Sequence, residues 1–471
     1  MNTLLIQVIG KLKGYDSVSY EIDSKLYTAQ LVTEALEKYY INEKCDEVKR
    51  FIVVPESLIT KLTTDLQECY DLIKEEKKLK EKFEKELKTK VIMMQSLGTY
   101  NFSNNFKITF ENYPDNIVTY FLFDLIKIAD GINNIILDIS TGFNQYVISA
   151  LESLRKYLVF KKLKNMIKGE VKDVPKVQIS IIPPLPQSQN EQKDSHVKVN
   201  LYDFDVKAFF ALPFKERNIV MIDKLVRNLT NEEKKKFSNI KEYKELKTYA
   251  DSLLSTLKMC FNAINYNVPL ALFYPEIINI NDNTLNNVKK CIEKIKYILI
   301  KFESELKKVE LKKNEINIKR YNLSEAFFTN MLFSLALLES ILNFWDLNLK
   351  DKINKPININ VIEEKFTELY KNVLLILNEI YLKRDIEEIK ALSKELSEGE
   401  ERLLSELIKN FKCKEEKEDK IYSDKKRNFF AHSGFLKNIT KVKKINNEIL
   451  ISYDFKSKNT INEIKNWISN P

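Results

Sequence analysis

Residues 134–144 read NIILDISTGFN, and this run defines the architecture of the N-terminal half. Asn134 to Ile139 is an apolar stretch with one acidic residue, typical of a strand buried on both faces of a sheet. The small residues Ser140 to Gly142 predict a turn, and helical periodicity follows from Phe143 to Leu163. A buried strand that leads through a turn into a helix is the repeating unit of a parallel α/β sheet.

Further apolar runs extend this sheet. Residues His196 to Phe204 alternate between apolar and polar side chains, which predicts an edge strand. We therefore predict that residues 1–205 form a Rossmann-like α/β domain. The remaining predicted strands are Leu4–Ile9, Lys49–Pro55 and Val177–Ile182. A polar loop, Pro184–Ser195, is predicted to precede the edge strand.

Strand patterns fade beyond residue 205, and charged helical patterns replace them. Near the C-terminus, Thr440 to Asp454 predicts a β-hairpin that turns at Asn446 and Asn447. The chain is thus predicted to be α/β plus α, with a Rossmann-like domain at 1–205, a helical middle at 206–320, and a mostly helical domain with a small hairpin at 321–471. The predicted helices are Lys234–Asn262, Asn286–Lys319, Tyr321–Trp345, Val361–Leu382 and Ile386–Phe411.

Composition restricts the possible classes of protein. The net charge of +9 permits a nucleic-acid partner, although interspersed Lys and Glu are equally typical of a solvated surface. Five cysteines without a CxxC pair disfavour a disulfide framework or a zinc site and indicate a reducing cytoplasm. The N-terminus lacks the features of a signal peptide, and the apolar stretch Met331–Trp345 is too short to cross a bilayer. We therefore expect a cytoplasmic protein without a membrane partner.

A polar group lies near the C-terminus in the run RNFFAH, Arg427 to His432. On a helix, Asn428 and His432 share a face, and Arg427 projects about 100° to one side. RNA carries its own nucleophile, the 2′-OH, so its cleavage needs proton transfer, which an imidazole provides, and charge neutralisation, which a guanidinium provides. An Asn can orient the His or the scissile phosphate, and the reaction needs no metal. The local pattern fits equally well a His that only interacts with the carbonyls at a helix end.

The turn Ser140 to Gly142 is a second candidate site. It follows the carboxyl end of a predicted parallel strand, where open α/β sheets bind ligands. Its hydroxyls and backbone N–H groups can receive an anion at the helix N-terminus, but an ordinary helix cap uses the same residue types. The chain has neither a G-x-x-x-x-G-K-[ST] loop nor a G-x-G-x-x-G loop, which disfavours an NTPase or a dehydrogenase.

The N-terminal motif resembles a known family. Asp138 to Asn144, DISTGFN, is similar to the D-x-[ST]-x-G-x-N pattern of CARF domains, with Ser-Thr where relatives often have Thr-His. Ile9 to Tyr15 resembles the first ligand loop of that family, and Ser96 to Tyr100 resembles a further one. The resemblance implies a dimeric sensor that binds a cyclic oligoadenylate, with cyclic tetraadenylate as the expected ring. The implied ligand-binding residues are Gly10, Lys11, Ser140, Thr141, Gly142 and Asn144.

The C-terminal motif resembles the R-x4-6-H motif of HEPN ribonucleases, including the polar residue after the Arg. In that family two HEPN domains pair, and the Arg and His of both subunits line one cleft. The resemblance implies that Arg427, Asn428 and His432 are catalytic and cleave single-stranded RNA without a metal or another cofactor. It also implies a homodimer, with assembly beyond the dimer left open.

Together the two resemblances cover about residues 1–205 and 320–471. The combination is similar to the CARF–HEPN ancillary ribonucleases, of the Csx type, in type III CRISPR systems. It implies an endoribonuclease of antiviral defence that cyclic oligoadenylate activates. The competing interpretation is a non-enzymatic nucleotide-sensing regulator whose helical half binds nucleic acid or protein, and Arg427 and His432 are what separate the two.

Overall fold

A computed structural model describes residues 2–102, 106–168, 173–183, 196–214, 220–412, 424–455 and 458–471. The predicted loop Pro184–Ser195 and Cys413 lie outside the described residues. The helices are α1 Val32–Lys44, α2 Leu66–Lys74, α3 Glu76–Leu87, α4 Pro114–Ile128, α5 Asn144–Asn165, α6 Ile222–Leu225, α7 Asn231–Ser238, α8 Lys241–Asn265, α9 Pro275–Ile278, α10 Thr284–Leu306, α11 Glu325–Asn348, α12 Ile359–Asn372, α13 Ile376–Leu392, α14 Leu404–Lys412, α15 Lys425–Ala431 and α16 Lys458–Ser469.

The strands form one large sheet and several small ones. They are β1 Asn2–Ile9, β2 Val18–Ile22, β3 Lys25–Ala29, β4 Glu47–Pro55, β5 Lys90–Met94, β6 Gly98–Phe102, β7 Phe106–Glu111, β8 Asn134–Thr141, β9 Lys176–Ile181, β10 Val197–Lys198, β11 Asn200–Asp203, β12 Val226–Arg227, β13 Lys308–Lys312, β14 Glu315–Lys319, β15 Asn322–Leu323, β16 Ile357–Asn358, β17 Glu401–Leu403, β18 Thr440–Ile445 and β19 Glu448–Tyr453.

The large sheet has the strand order β11-β9-β8-β1-β4-β5. Its neighbours from β9 to β5 pair in parallel, and β11 pairs antiparallel with β9 at the edge. The four predicted parallel strands are confirmed, whereas β5 was not predicted. The predicted edge strand His196–Phe204 is divided: β11 forms the edge of the large sheet, and β10 pairs with β2 in a separate sheet. Because the chain builds β4 and β5 on one side of β1 and then places β8 on the other, the loops after β1 and β8 meet at a topological switch point.

Both faces of this sheet are covered by helices. In β1, Leu4 and Ile6 face the core beneath α4 and α5, whereas Leu5 faces a separate cluster beneath α1. All three side chains are at most 1% exposed, which explains why the strand appears in the sequence as an unbroken apolar run.

The predicted helix Asn286–Lys319 is wrong beyond Leu306. Residues 308–319 form the hairpin β13–β14, whose second strand pairs in parallel with β7, so the middle of the chain adds two strands to the sheet β13-β14-β7-β6. Ile316 and Ile318 are fully buried at alternating positions of β14, but charged residues fill the other face of the hairpin. This density of Lys and Glu hides the alternation and produces a pattern similar to that of a charged helix.

Other helix boundaries also differ from the prediction. Lys234–Asn262 is divided into α7 and α8, and β17 interrupts the region predicted as Ile386–Phe411. Helix α12 ends at Asn372, and Leu374 takes a φ of 62°, which reverses the chain before α13 begins. Residues with a side chain rarely adopt this left-handed conformation, and because Leu374 stands where a glycine would be usual, the sequence does not mark the break.

Helix α11 is the central helix of the C-terminal half. It is long and apolar enough to cross a membrane, but 83% of its apolar window is buried inside the protein, as in the core helix of a globular domain. The predicted hairpin is confirmed as β18–β19, with positive φ values at Asn446 and Asn447. Strands β16 and β17 extend it to a four-stranded sheet that was not predicted.

Helix α5 connects the N-terminal sheet with the C-terminal helices. Lys156 forms an ion pair with Glu325 at the start of α11, with 3.0 Å between the charged atoms. Just after α5, the Ile167 backbone N–H donates to Ser340 Oγ at 3.1 Å, and the Ile167 carbonyl accepts from Asn372 Nδ2 at 3.0 Å. One hydrophobic core runs from β1 to α16, and the domain boundaries at 205 and 320 stay predictions.

Candidate active site and candidate nucleotide site

Helix α15 carries the predicted catalytic residues and is fixed at both ends. The Asp424 carboxylate accepts hydrogen bonds from the backbone N–H groups of Lys426 at 3.0 Å and Arg427 at 3.2 Å, which caps the helix. After His432 the chain turns through Gly434, whose φ is 76°. A Cβ at Gly434 would lie 2.6 Å from Val268 Cγ1, so this close approach requires glycine.

The two aromatic residues of the motif anchor α15 to the rest of the protein. Phe429 is fully buried against Trp467, with ring centroids 5.2 Å apart, and Phe430 packs against Tyr266 at 5.6 Å. Arg427 and His432 are exposed, and neither side chain has a hydrogen-bond or ion-pair partner among the described residues. Both groups are therefore available to a ligand.

Asn428 and His432 line the same pocket, which has a volume of about 130 Å³. The His432 backbone N–H donates to the Asn428 carbonyl at 3.1 Å, which is the helical spacing that the sequence predicted. Arg427 does not line this pocket and projects from the neighbouring face of α15. Within one chain the structure therefore brings two of the three predicted catalytic residues together.

A buried polar network lies directly behind His432. The Ser433 hydroxyl donates to Asp385 Oδ2 at 2.6 Å and accepts from Asn267 Nδ2 at 2.8 Å. The Tyr370 hydroxyl donates to Asn267 Oδ1 at 2.9 Å. Since these groups come from four separate segments, the network fixes the backbone next to His432.

Sequence analysis missed Asp385 and Glu388, which both line the pocket of His432. The one sequence signal for Asp385 is its place on the buried stripe of α13, beside Leu382, Ile386 and Ile389. A charged residue on a buried apolar face needs a hydrogen-bond or ion-pair partner, but the sequence does not show which residue provides it.

In the N-terminal half, the structure brings the loop after β1, which contains Gly10, against the turn after β8. A Cβ at Gly10 would lie 2.9 Å from the Thr141 carbonyl oxygen, and one at Gly142 would lie 2.7 Å from Val8 Cγ1. The two glycines therefore allow a close approach that a side chain would prevent.

The two hydroxyls of this turn are bound within the protein. Thr141 Oγ1 donates to the Val8 carbonyl at 2.9 Å and accepts from Gln7 Nε2 at 3.1 Å. Ser140 Oγ donates to Asp138 Oδ2 at 3.0 Å and accepts from the Ile182 backbone N–H at 3.1 Å. These hydroxyls shape the loop through hydrogen bonds within the protein, and their contact with a ligand stays a prediction.

Asp138 is fully buried beneath this turn. Burial raises the pKa of its carboxyl to about 6, against the opposing effect of hydrogen bonds from Ser180 and Ser140. The carboxyl thus holds the turn in place from below and does not reach the surface.

The N-terminus of α5 is open at the same place. Its N-cap residue, Phe143, provides no side-chain hydrogen bond, and Asn144 at the first position is exposed. The N–H groups of Asn144 and Gln145 lack intrahelical partners, and they lie at the positive end of the helix dipole. Lys11 adds a cation nearby, with its Nζ donating to the Gly14 carbonyl and 4.6 Å from the Tyr15 ring centroid.

The segment Ser96–Tyr100, predicted as a further ligand loop, lies against the start of α5. Gln145 Nε2 donates to the Leu97 carbonyl at 3.4 Å and to the Tyr100 hydroxyl at 3.2 Å, and the hydroxyls of Tyr100 and Tyr146 lie 2.8 Å apart. Three loops from the carboxyl edge of the sheet thus converge on an uncapped helix N-terminus, which is a site suited to an anion.

Comparison with known families identifies two domains in the chain. Residues 4–182 match the model of the CARF domain of the CRISPR system endoribonuclease Csx1, and residues 376–456 match the model of the HEPN domain of that endoribonuclease. No curated protein matches the chain as a significant relative. The fold and the two matches define a CRISPR-associated endoribonuclease with a CARF and a HEPN domain. Within that class, the chain belongs to the Csx1 family.

Proposed function

We propose that this protein is a cytoplasmic endoribonuclease of type III CRISPR antiviral defence that cyclic oligoadenylate activates and that cleaves single-stranded RNA at Arg427 and His432. The observation that carries the proposal is the exposure of these two side chains. Both are exposed, and neither has a partner among the residues that the structure describes, on an anchored helix inside the range that matches the HEPN model. An exposed guanidinium and an exposed imidazole are accessible to an RNA phosphate and to the proton of a 2′-OH.

The proposed reaction uses the 2′-OH of the RNA as its nucleophile. This oxygen attacks the adjacent phosphorus, the bond to the 5′-oxygen of the next nucleotide breaks, and a 2′,3′-cyclic phosphate forms. His432 moves the proton, Arg427 neutralises charge on the phosphate oxygens, and Asn428 positions the phosphate. Because the nucleophile is internal and the cation is a guanidinium, the mechanism requires no metal.

The position of Arg427 supports a homodimer. Since Arg427 and the pocket of His432 lie on neighbouring faces of α15, pairing two copies about a two-fold axis can place the Arg of one opposite the His of the other. An apolar surface at the start of α13 supports the same pairing, with Leu374, Leu377 and Ile380 exposed by 78%, 65% and 54%.

The activator is proposed to bind at the carboxyl edge of the large sheet. A cyclic oligoadenylate is an anion, and the open N-terminus of α5 together with Lys11 attracts anions. Helix α5 then offers a physical route to the ribonuclease site, because the Ile167 carbonyl that follows it binds Asn372, four residues before the start of α13. Cyclic tetraadenylate is the ring that we expect.

The test is cleavage of labelled single-stranded RNA by the full-length protein in EDTA, with and without cyclic tetraadenylate. We expect cleavage that rises when the nucleotide is added. Binding of nucleotide and RNA without any cleavage would instead identify a non-enzymatic regulator.

A further inference from the structure

The pocket beside His432 combines a polar rim with an apolar floor. It lies between α13, α14 and the segment after α15, and its volume of about 130 Å³ gives room for one planar ring system. The rim is polar and carries Glu388, Asn428, His432 and Lys437. The floor is apolar and includes Ile389, Leu392, Leu404, Ile408, Phe435 and Leu436.

Two carboxylates line this pocket, and only one of them is available to a ligand. Asp385 is 4% exposed, and its oxygens accept hydrogen bonds from Ser433 and Arg384. Glu388 lies nearly one turn further along α13 and is exposed. Within the described part of the chain, its carboxylate has no hydrogen-bond or ion-pair partner.

An apolar floor with a polar rim suits a nucleobase. Proteins that read single-stranded RNA hold unstacked bases against apolar or aromatic side chains and form hydrogen bonds with the base edges. Since His432 lines the pocket, a base held there belongs to a nucleotide that flanks the phosphate to be cut. An ionised carboxylate only accepts hydrogen bonds, so it favours an exocyclic amino group and repels the carbonyl oxygens of uracil.

We propose that this pocket is a base-recognition subsite in which Glu388 selects a base with an amino group over uracil at a nucleotide next to the cut. The proposal rests on the proposed ribonuclease function of Arg427 and His432. It assigns Glu388 a role in sequence preference and none in the chemical step.

The experiment uses the full-length protein with cyclic tetraadenylate and a pool of single-stranded RNAs of random sequence, and sequencing of the product ends locates each cut. At one flanking position, the wild type should cut beside an amino-bearing base about tenfold more often than beside uracil. In Glu388→Gln the amide both donates and accepts, so that ratio should fall to about threefold or less. Glu387→Gln is the matched control, since Glu387 is the exposed neighbour that does not line the pocket, and its ratio should stay that of the wild type.

Two results would overturn the subsite while the ribonuclease function stands. One is cleavage by the wild type without discrimination against uracil at either flanking position. The other is an unchanged ratio in Glu388→Gln. Absence of cleavage by the wild type, with or without the nucleotide, would overturn the ribonuclease function and the subsite with it.

Discussion

Ser433, the residue after His432, donates a hydrogen bond of 2.6 Å from its hydroxyl to the buried carboxylate of Asp385. This contact joins α13 to the turn that follows helix α15. The contact also connects the backbone at His432 with α13. Helix α13 begins close to Asn372, which donates to the Ile167 carbonyl just after α5. The position of the imidazole therefore depends on the packing of α13 as well as on its own helix.

Removing the acceptor of this hydrogen bond should slow cleavage without weakening RNA binding. We expect Asp385→Ala to lower kcat about tenfold or more with little change in KM, because His432 would lose its fixed position. Asp385→Asn retains an acceptor for Ser433 and should keep more of the activity. Steady-state kinetics on one RNA substrate compares the two, and equal rates for both variants and the wild type would remove Asp385 from this role.

Loss of the cation at the nucleotide site should weaken binding of the activator. We expect Lys11→Ala to lower the affinity for cyclic tetraadenylate about tenfold in calorimetry, since a charge-assisted contact to phosphate would be lost. Lys49→Ala is the control, because Lys49 is exposed at the opposite end of its strand from the site. An affinity unchanged in Lys11→Ala would exclude Lys11 from the site.

The buried carboxyl of Asp138 should make stability depend on pH. The folded chain keeps this proton up to about pH 6, whereas the unfolded chain releases it near pH 3.9. The free energy of unfolding should therefore fall as the pH rises from about 4 to about 6, by an amount on the order of 3 kcal/mol. Asp138→Asn should lack this decline, and urea titrations of both proteins at pH 4.5 and pH 7 measure the difference. A decline of the same size in the variant would assign it to other groups.

The parallel strands were predictable because burial on both faces leaves continuous apolar runs such as Leu4–Ile9. The hairpin at 308–319 was not, because its buried positions Ile316 and Ile318 stand among charged residues. The break after α12 was also hidden, since Leu374 adopts a positive φ without a glycine.

The candidate active site was predictable where its residues are contiguous. Arg427, Asn428 and His432 occupy one helix, so their spacing alone relates them. Asp385 and Glu388 reach the same pocket only because α13 packs against the turn after α15, and that packing is a tertiary property that no local pattern records.

The proposed mechanism also predicts the chemistry of the products. Cleavage by the 2′-OH should leave a 2′,3′-cyclic phosphate, and a single 2′-deoxy substitution at the cut nucleotide should block cleavage there. Mass spectrometry of the products and a matched pair of oligonucleotides test this. A 3′-hydroxyl product, or unchanged cleavage of the deoxy substrate, would require an external nucleophile.

The most direct measurement compares His432→Ala with the wild type in single-turnover cleavage of single-stranded RNA in EDTA with cyclic tetraadenylate. Losing a group that moves a proton typically slows a reaction about 10²–10⁴-fold, and we expect a loss of that size with melting temperature and nucleotide affinity unchanged. His196→Ala is the matched control, since His196 lies far along the chain beside Glu21 and is the other histidine. Cleavage by His432→Ala at the wild-type rate would contradict the account.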